Sequence, residues 1–196
     1  MFWGTIDSSI QFCEDKYSDV VWIAEYYNTI SSFAYVLAAL PFVYTKIQKV
    51  AKCGVMVGLG SVLFHCTLRQ YGQWVDEISM LCIIHYILME QSRFISEKLL
   101  IPIVYLYIQG SSQFWIFFIY FASVKIYLLI NAYKSNYWMR CYSVLFVLGF
   151  ICWLMDQFLC KYVKQYQLHA WWHICTGLST FFAYKGLLMN KEIKKE

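Results

Sequence analysis

Apolar residues in this chain come in long unbroken runs, and the polar residues gather in the short gaps between them. The runs lie near Tyr26–Val43, Val50–Leu68, Gln73–Met89, Phe94–Ile108, Gln113–Ile130, Trp138–Met155 and Leu168–Leu188. A helix needs about 20 mostly apolar residues to cross a bilayer, so the pattern predicts seven transmembrane helices. The roughly 10-residue alternation of an outer-membrane barrel strand is absent. The fourth run is the weakest, because its apolar part, Leu99–Ile108, is short, carries Pro102 and needs Phe94 and Ile95 to reach across. No basic segment followed at once by an apolar stretch opens the chain, so no cleavable signal peptide is expected. There is no internal repeat and no low-complexity segment. The expected architecture is one all-α membrane domain over residues 1–196, a bundle of seven helices with no room for a soluble domain.

Composition agrees with this pattern and narrows it. The 196 residues are 60% hydrophobic and only 14% charged, with a mean hydropathy of +0.49. A water-facing domain has about 25% charged residues, so a soluble domain, a coiled coil and a nucleic-acid-binding protein are excluded. The net charge of +4 matters less than its placement. With seven spans, one face holds only Lys16, Arg69, Lys161 and Lys164. The other holds eleven basic residues, among them Lys46, Lys49, Lys52, Arg93, Lys194 and Lys195, with Lys125 left inside a span. The positive-inside rule makes that second face cytosolic. Residues 1–25 become a lumenal N-terminal segment and 189–196 a short cytosolic tail.

On this map three of the four histidines reach one depth. His65 ends the second span with Ser61 one turn before it, Asp76 and Glu77 open the third, and His169 and His173 open the seventh at i, i+4. Ends of even spans and starts of odd spans share a face, here the lumenal one, provided the fourth span is real. Three neutral imidazoles with an open position form the ligand set of a catalytic zinc. A single interfacial histidine more often satisfies a hydrogen bond. Three converging with an intramembrane acid point to function, since such groups are costly in lipid. Zinc acidifies bound water to a pKa near 7; Asp76 is placed to take its proton. Ser61 is either a donor to an oxyanion or a small residue for close packing in the GLGS run. His85, alone in mid-span, reads as a packed core residue, and Lys125 as a lysine that snorkels to the cytosolic face.

At these residues the chain resembles the alkaline ceramidases, seven-helix hydrolases related to the adiponectin and progestin receptors. The stretches that carry the resemblance are FCEDKYSDVVWIAEYYNTISS at Phe12–Ser32, GSVLFHCTLRQYGQWVDEISM at Gly60–Met80 and HAWWHICTGLSTF at His169–Phe181. It implies hydrolysis of ceramide to a sphingoid base and a fatty acid in the endoplasmic reticulum or Golgi. It also implies zinc on His65, His169 and His173, proton transfer by Asp76 and steadying of the carbonyl oxygen by Ser61. By the same resemblance calcium would bind near Gln11, Phe12 (through its carbonyl), Glu14, Lys16 and Glu25. Here glutamine and lysine stand where oxygen ligands are expected, and an ammonium supplies no oxygen. Either Asp15 and Asp19 compensate, or Lys16 replaces the ion by pairing with Glu14 or Glu25. Weak calcium dependence is therefore expected. The terminal KKE misses the dilysine retrieval pattern, because Ile193 stands at position −4.

The eight cysteines form no CxxC, which argues against a thiolate metal site. Most lie in spans, where cysteine behaves as a small hydrophobe. Cys13 and Cys160 fall outside the spans on the lumenal face, where a disulfide can persist. The leading function is zinc-dependent ceramide hydrolysis, with a membrane lipid as substrate and no obligate protein partner evident. A receptor or lipid sensor on the same scaffold is the alternative, though the cytosolic face offers it only short loops. A transporter is disfavoured because the polar groups cluster at one interface rather than at the midplane.

Overall fold

The computed structural model describes residues 1–92, 95–110 and 114–193. Arg93, Phe94, Gln113, Lys194 and Lys195, used above for span limits and for the charge count, lie outside the described residues, as does the terminal KKE. The chain is helical: α1 (Tyr26–Ser31), α2 (Phe33–Ala39), α3 (Gln48–Thr67), α4 (Gln70–Gln91), α5 (Leu100–Gln109), α6 (Phe114–Tyr133), α7 (Tyr137–Val163) and α8 (Leu168–Ile193). No strand occurs among the described residues. Two helical stretches, Gln48–Thr67 and Tyr137–Tyr166, are long and apolar enough to cross a membrane.

Two of the seven apolar runs do not form single long helices. The first is interrupted at Ser32, where the Ser31 and Ser32 hydroxyls both donate to the Asn28 carbonyl at 3.1 and 2.7 Å. Hydroxyls bonded back to the preceding turn compete with the helix ladder and bend it. The fourth is a 3-10 turn, Glu97–Leu99, followed by the ten residues of α5.

Large apolar residues face outward while several polar and charged residues are buried. Ile101, Ile119 and Phe158 are 65–71% exposed, whereas Glu25, Gln73 and His65 are at most 1% exposed. An apolar exterior of this kind suits hydrocarbon rather than water as the surrounding solvent.

Antiparallel pairs α3/α4 and α7/α8 make the tightest packing, with α2 laid against both α3 and α8. The reversals that feed these pairs pass through Leu68 and Gln167, both left-handed at φ 50°. Each lies within three residues of a histidine, so the turns deliver His65 and His169 to the same end of the bundle. Between α3 and α4, a Cβ on Gly60 would lie 2.8 Å from the Asp76 backbone. The helices touch there because no side chain intervenes. Gly60→Ala must push Asp76 aside: a loss of about 1–3 kcal/mol is expected, visible as a lower denaturation temperature together with reduced activity.

Residues 1–25 contain no helix and lie across this same end. The N–H groups of Ala24 and Glu25 donate to the carbonyls of Cys66 and His65 at 2.9 and 3.0 Å. These are carbonyls of the last turn of α3, which have no partner within the helix. Ser9 exchanges two bonds with Gln73, at 2.8 and 2.6 Å, and the Gln70 N–H donates to Asp7 at 2.6 Å. The segment is thus a cap, held by backbone groups that the helix ends leave unsatisfied.

Candidate metal centre

His65 from α3 and His169 and His173 from α8 converge at the capped end, with one ligand atom from each lying within 4.8 Å of the other two. All three are at least 97% buried. Two have their tautomer set by a neighbour. Nδ1 of His65 lies 2.6 Å from Glu25 Oε2, so the carboxylate accepts the Nδ1 proton and Nε2 keeps its lone pair. Nδ1 of His173 lies 3.1 Å from the Asn28 carbonyl and 2.9 Å from the Ser31 hydroxyl, with the same consequence. This is the usual second-layer arrangement behind a metal-binding imidazole. Neither ring nitrogen of His169 has a hydrogen-bond partner, although both are buried. Such orphaned groups are rare in native interiors. Three convergent imidazoles, two pre-oriented and one unsatisfied, fit a divalent metal of the zinc type.

Asp76 and Ser61 border the same cavity as the histidines. Asp76 is 8% exposed and its Oδ1 has no partner. Ser61 Oγ lies 2.9 Å from Ser32 Oγ, so the helix break at Ser32 puts a second hydroxyl behind the first. The cavity holds about 1010 Å³ of empty space, part of it open to the outside, and aromatic rings including Phe117, Phe121, Phe146 and Trp172 wall it. A polar end and a long apolar remainder suit an amphipathic lipid.

Three further buried polar groups complete the picture. Lys125 does not snorkel. It is 91% buried in the cavity wall, its ammonium 4.3 Å from the Phe146 ring centre and 3.3 Å from the Tyr142 hydroxyl. Aromatic faces and one hydroxyl stand in for water there, and they come from a helix that cannot be paired with α6 by sequence alone. Asp156, buried near the end of α7, accepts from the Cys13 N–H at 3.1 Å. His85 stands apart from the cluster, with Nε2 3.0 Å from the Ser96 carbonyl.

The five N-terminal positions lie together but engage one another or the protein. Glu14 accepts from the Tyr27 and Asn28 N–H groups at 2.7 and 2.9 Å, at the start of α1. Burial pushes its carboxyl up to about 7, and these two donors offset only part of that rise. Lys16 reaches the Phe12 carbonyl and the Glu25 carboxylate, and the Phe12 ring stacks on His169 with centres 3.7 Å apart. Gln11 is exposed, its carbonyl accepting from Gln157 at 3.3 Å.

Cys13 and Cys160 are bonded to each other, their Cα atoms 5.4 Å apart. Cys160 follows Leu159, whose φ of −121° and ψ of 22° interrupt α7 and turn its last residues. The link ties the cap to the helix entering α8. Peptide mapping of alkylated, non-reduced protein should recover residues 13 and 160 in one cross-linked species; alkylated thiols at both positions would refute the link.

The ceramidase family model matches residues 4–195. Alkaline ceramidase 3 of Mus musculus is 26% identical, over 92% of this chain and 82% of its own. An alkaline ceramidase of Arabidopsis thaliana is 27% identical, over 95% and 85%, and one of Saccharomyces cerevisiae 25% identical, over 92% and 75%.

Proposed function

The chain belongs to the ceramidase family, and from that premise we propose that it cleaves the amide bond of ceramides at a zinc centre held by His65, His169 and His173. The observation that carries the reading is the buried three-histidine cluster opening into a cavity with an apolar remainder. Zinc bound there would supply Lewis acidity and lower the pKa of a bound water to about 7.

The protein's own residues supply the rest. Glu25 and the Asn28 carbonyl hold two imidazoles in the tautomer that binds metal. Asp76 takes the proton of the attacking water and returns one to the departing nitrogen, so the amide and one water leave as a carboxylic acid and a sphingoid amine. Ser61, backed by Ser32, donates to the carbonyl oxygen as it gains charge. The aromatic wall buries the lipid chains and keeps bulk water away from the reacting end.

The chain crosses the membrane seven times, with α1 and α2 together making the first crossing and α5 the fourth. The metal centre lies at the lumenal side, and the C-terminal end of α8 is cytosolic. The excess of basic residues on that face supports this orientation. The family resemblance supports the endoplasmic reticulum or Golgi. Purified protein incubated with a panel of ceramides should release free fatty acid and sphingoid base in equal amounts, and metal chelation should stop it. Bound zinc with no product from any ceramide would turn the reading toward a lipid sensor on the same scaffold.

A further inference from the structure

Lys16 is a cation held between a backbone carbonyl and a buried carboxylate. Its side chain is 20% exposed, and its ammonium donates to the Phe12 carbonyl at 2.8 Å and to the Glu25 carboxylate. Glu25 is wholly buried; its other oxygen holds Nδ1 of His65 and accepts from Asn28 Nδ2 at 3.0 Å. Phe12, which gives the carbonyl, lays its ring on His169. One ammonium therefore reaches two of the three histidines, each through a single intervening residue. A buried carboxylate is strongly disfavoured without a countercharge, and Glu25 must stay a fixed acceptor if His65 is to keep its tautomer.

We propose that Lys16 is a positioning residue of the metal centre, a tethered cation that neutralises Glu25 and locks its carboxylate onto His65. The proposal rests on the reading of the three histidines as a metal site. It also means that this end of the bundle carries its own cation in place of a second metal ion.

Calcium takes six to eight oxygens, and the residues present do not fit it. Lys16 offers three donors and no acceptor. Both Glu14 oxygens are engaged by backbone N–H groups, and both Glu25 oxygens by Lys16, His65 and Asn28. Asp15 and Asp19 are exposed, the first paired with Lys164 and the second with the Ser18 hydroxyl, so neither turns inward to compensate.

The experiment compares zinc affinity, by competition with a chromogenic chelator, and the visible spectrum of bound cobalt in wild type, Lys16→Met, Glu25→Gln and the double variant. Lys16→Met and Glu25→Gln should each weaken zinc about 10–100-fold and shift the cobalt bands. The double variant should be no weaker than Glu25→Gln, because the lysine acts through that carboxylate. A merely structural Lys16 would lower yield but leave the folded fraction with wild-type affinity, and that result overturns the proposal. So do multiplicative losses in the double variant. A second arm needs no variant: calcium titrated into the wild-type protein should neither bind nor raise its denaturation temperature. Saturable calcium binding with Lys16 in place would likewise sink it. Failure of the wild-type protein to bind zinc or cobalt at all defeats the metal-centre reading and this proposal with it, whereas normal binding unmoved by Lys16→Met defeats the proposal alone.

Discussion

Replacing His65, His169 or His173 with alanine is expected to abolish ceramide hydrolysis and to strip zinc from the protein. Each supplies one nitrogen to a three-histidine set, and a catalytic zinc site has no ligand to spare when its fourth position must stay open for water. The loss should exceed the roughly 10–100-fold seen when only an orienting partner is removed. His85→Ala separates ligand loss from general damage. That ring is as deeply buried as His65, but it bonds the Ser96 carbonyl, away from the cluster. Its removal should cost about 1–3 kcal/mol of stability for the carbonyl left behind, with zinc content and turnover retained. Metal analysis of the four purified variants decides the matter, and full zinc occupancy with wild-type rates in His169→Ala would defeat the assignment.

Asp76→Asn should keep the metal and lose turnover. The substitution preserves shape and leaves all three imidazoles and their partners in place, but it removes the proton acceptor. General acid–base catalysis of this kind is worth about 10²–10⁴ in rate, or some 3–5 kcal/mol of barrier. The fall should appear in kcat with KM little changed, because the interaction is used in the transition state rather than in binding. Glu77 is the rival, since it borders the same cavity and has one unpartnered oxygen. Its other oxygen accepts from Gln73, which in turn holds Ser9 of the cap, and that fits a residue tying the cap to α4. Glu77→Gln should therefore affect stability more than kcat. The reverse outcome, with turnover lost in Glu77→Gln and kept in Asp76→Asn, would move the proton-transfer role one residue along the helix.

The sequence alone was enough to place most of each apolar run on helical segments among the described residues, because long continuous apolar stretches with polar residues gathered in the gaps favour helices packed side by side. It also put His169 and His173 on one helix face, and parity of the spans brought His65, Asp76 and Cys160 to the end of the chain's map that holds Cys13. Periodicity and parity are properties of one helix at a time, and they fix depth and face. They do not say which faces meet. The exchange between Ser9 and Gln73 and the bond from Glu25 to His65 depend on a segment with no periodicity docking on helix ends, where the partner is set by how the chain lies across them. Lys125 shows the same limit. Its position near one end of an apolar run suggests a side chain reaching for water, yet α7 presents Tyr142 and Phe146 to it and holds the ammonium inside. Against the family resemblance Lys16 stands as a misfit among the oxygen ligands it implies, with Glu14 and Glu25 both open as partners. Only the tertiary structure chose Glu25, because Glu14 is already engaged by the first N–H groups of α1.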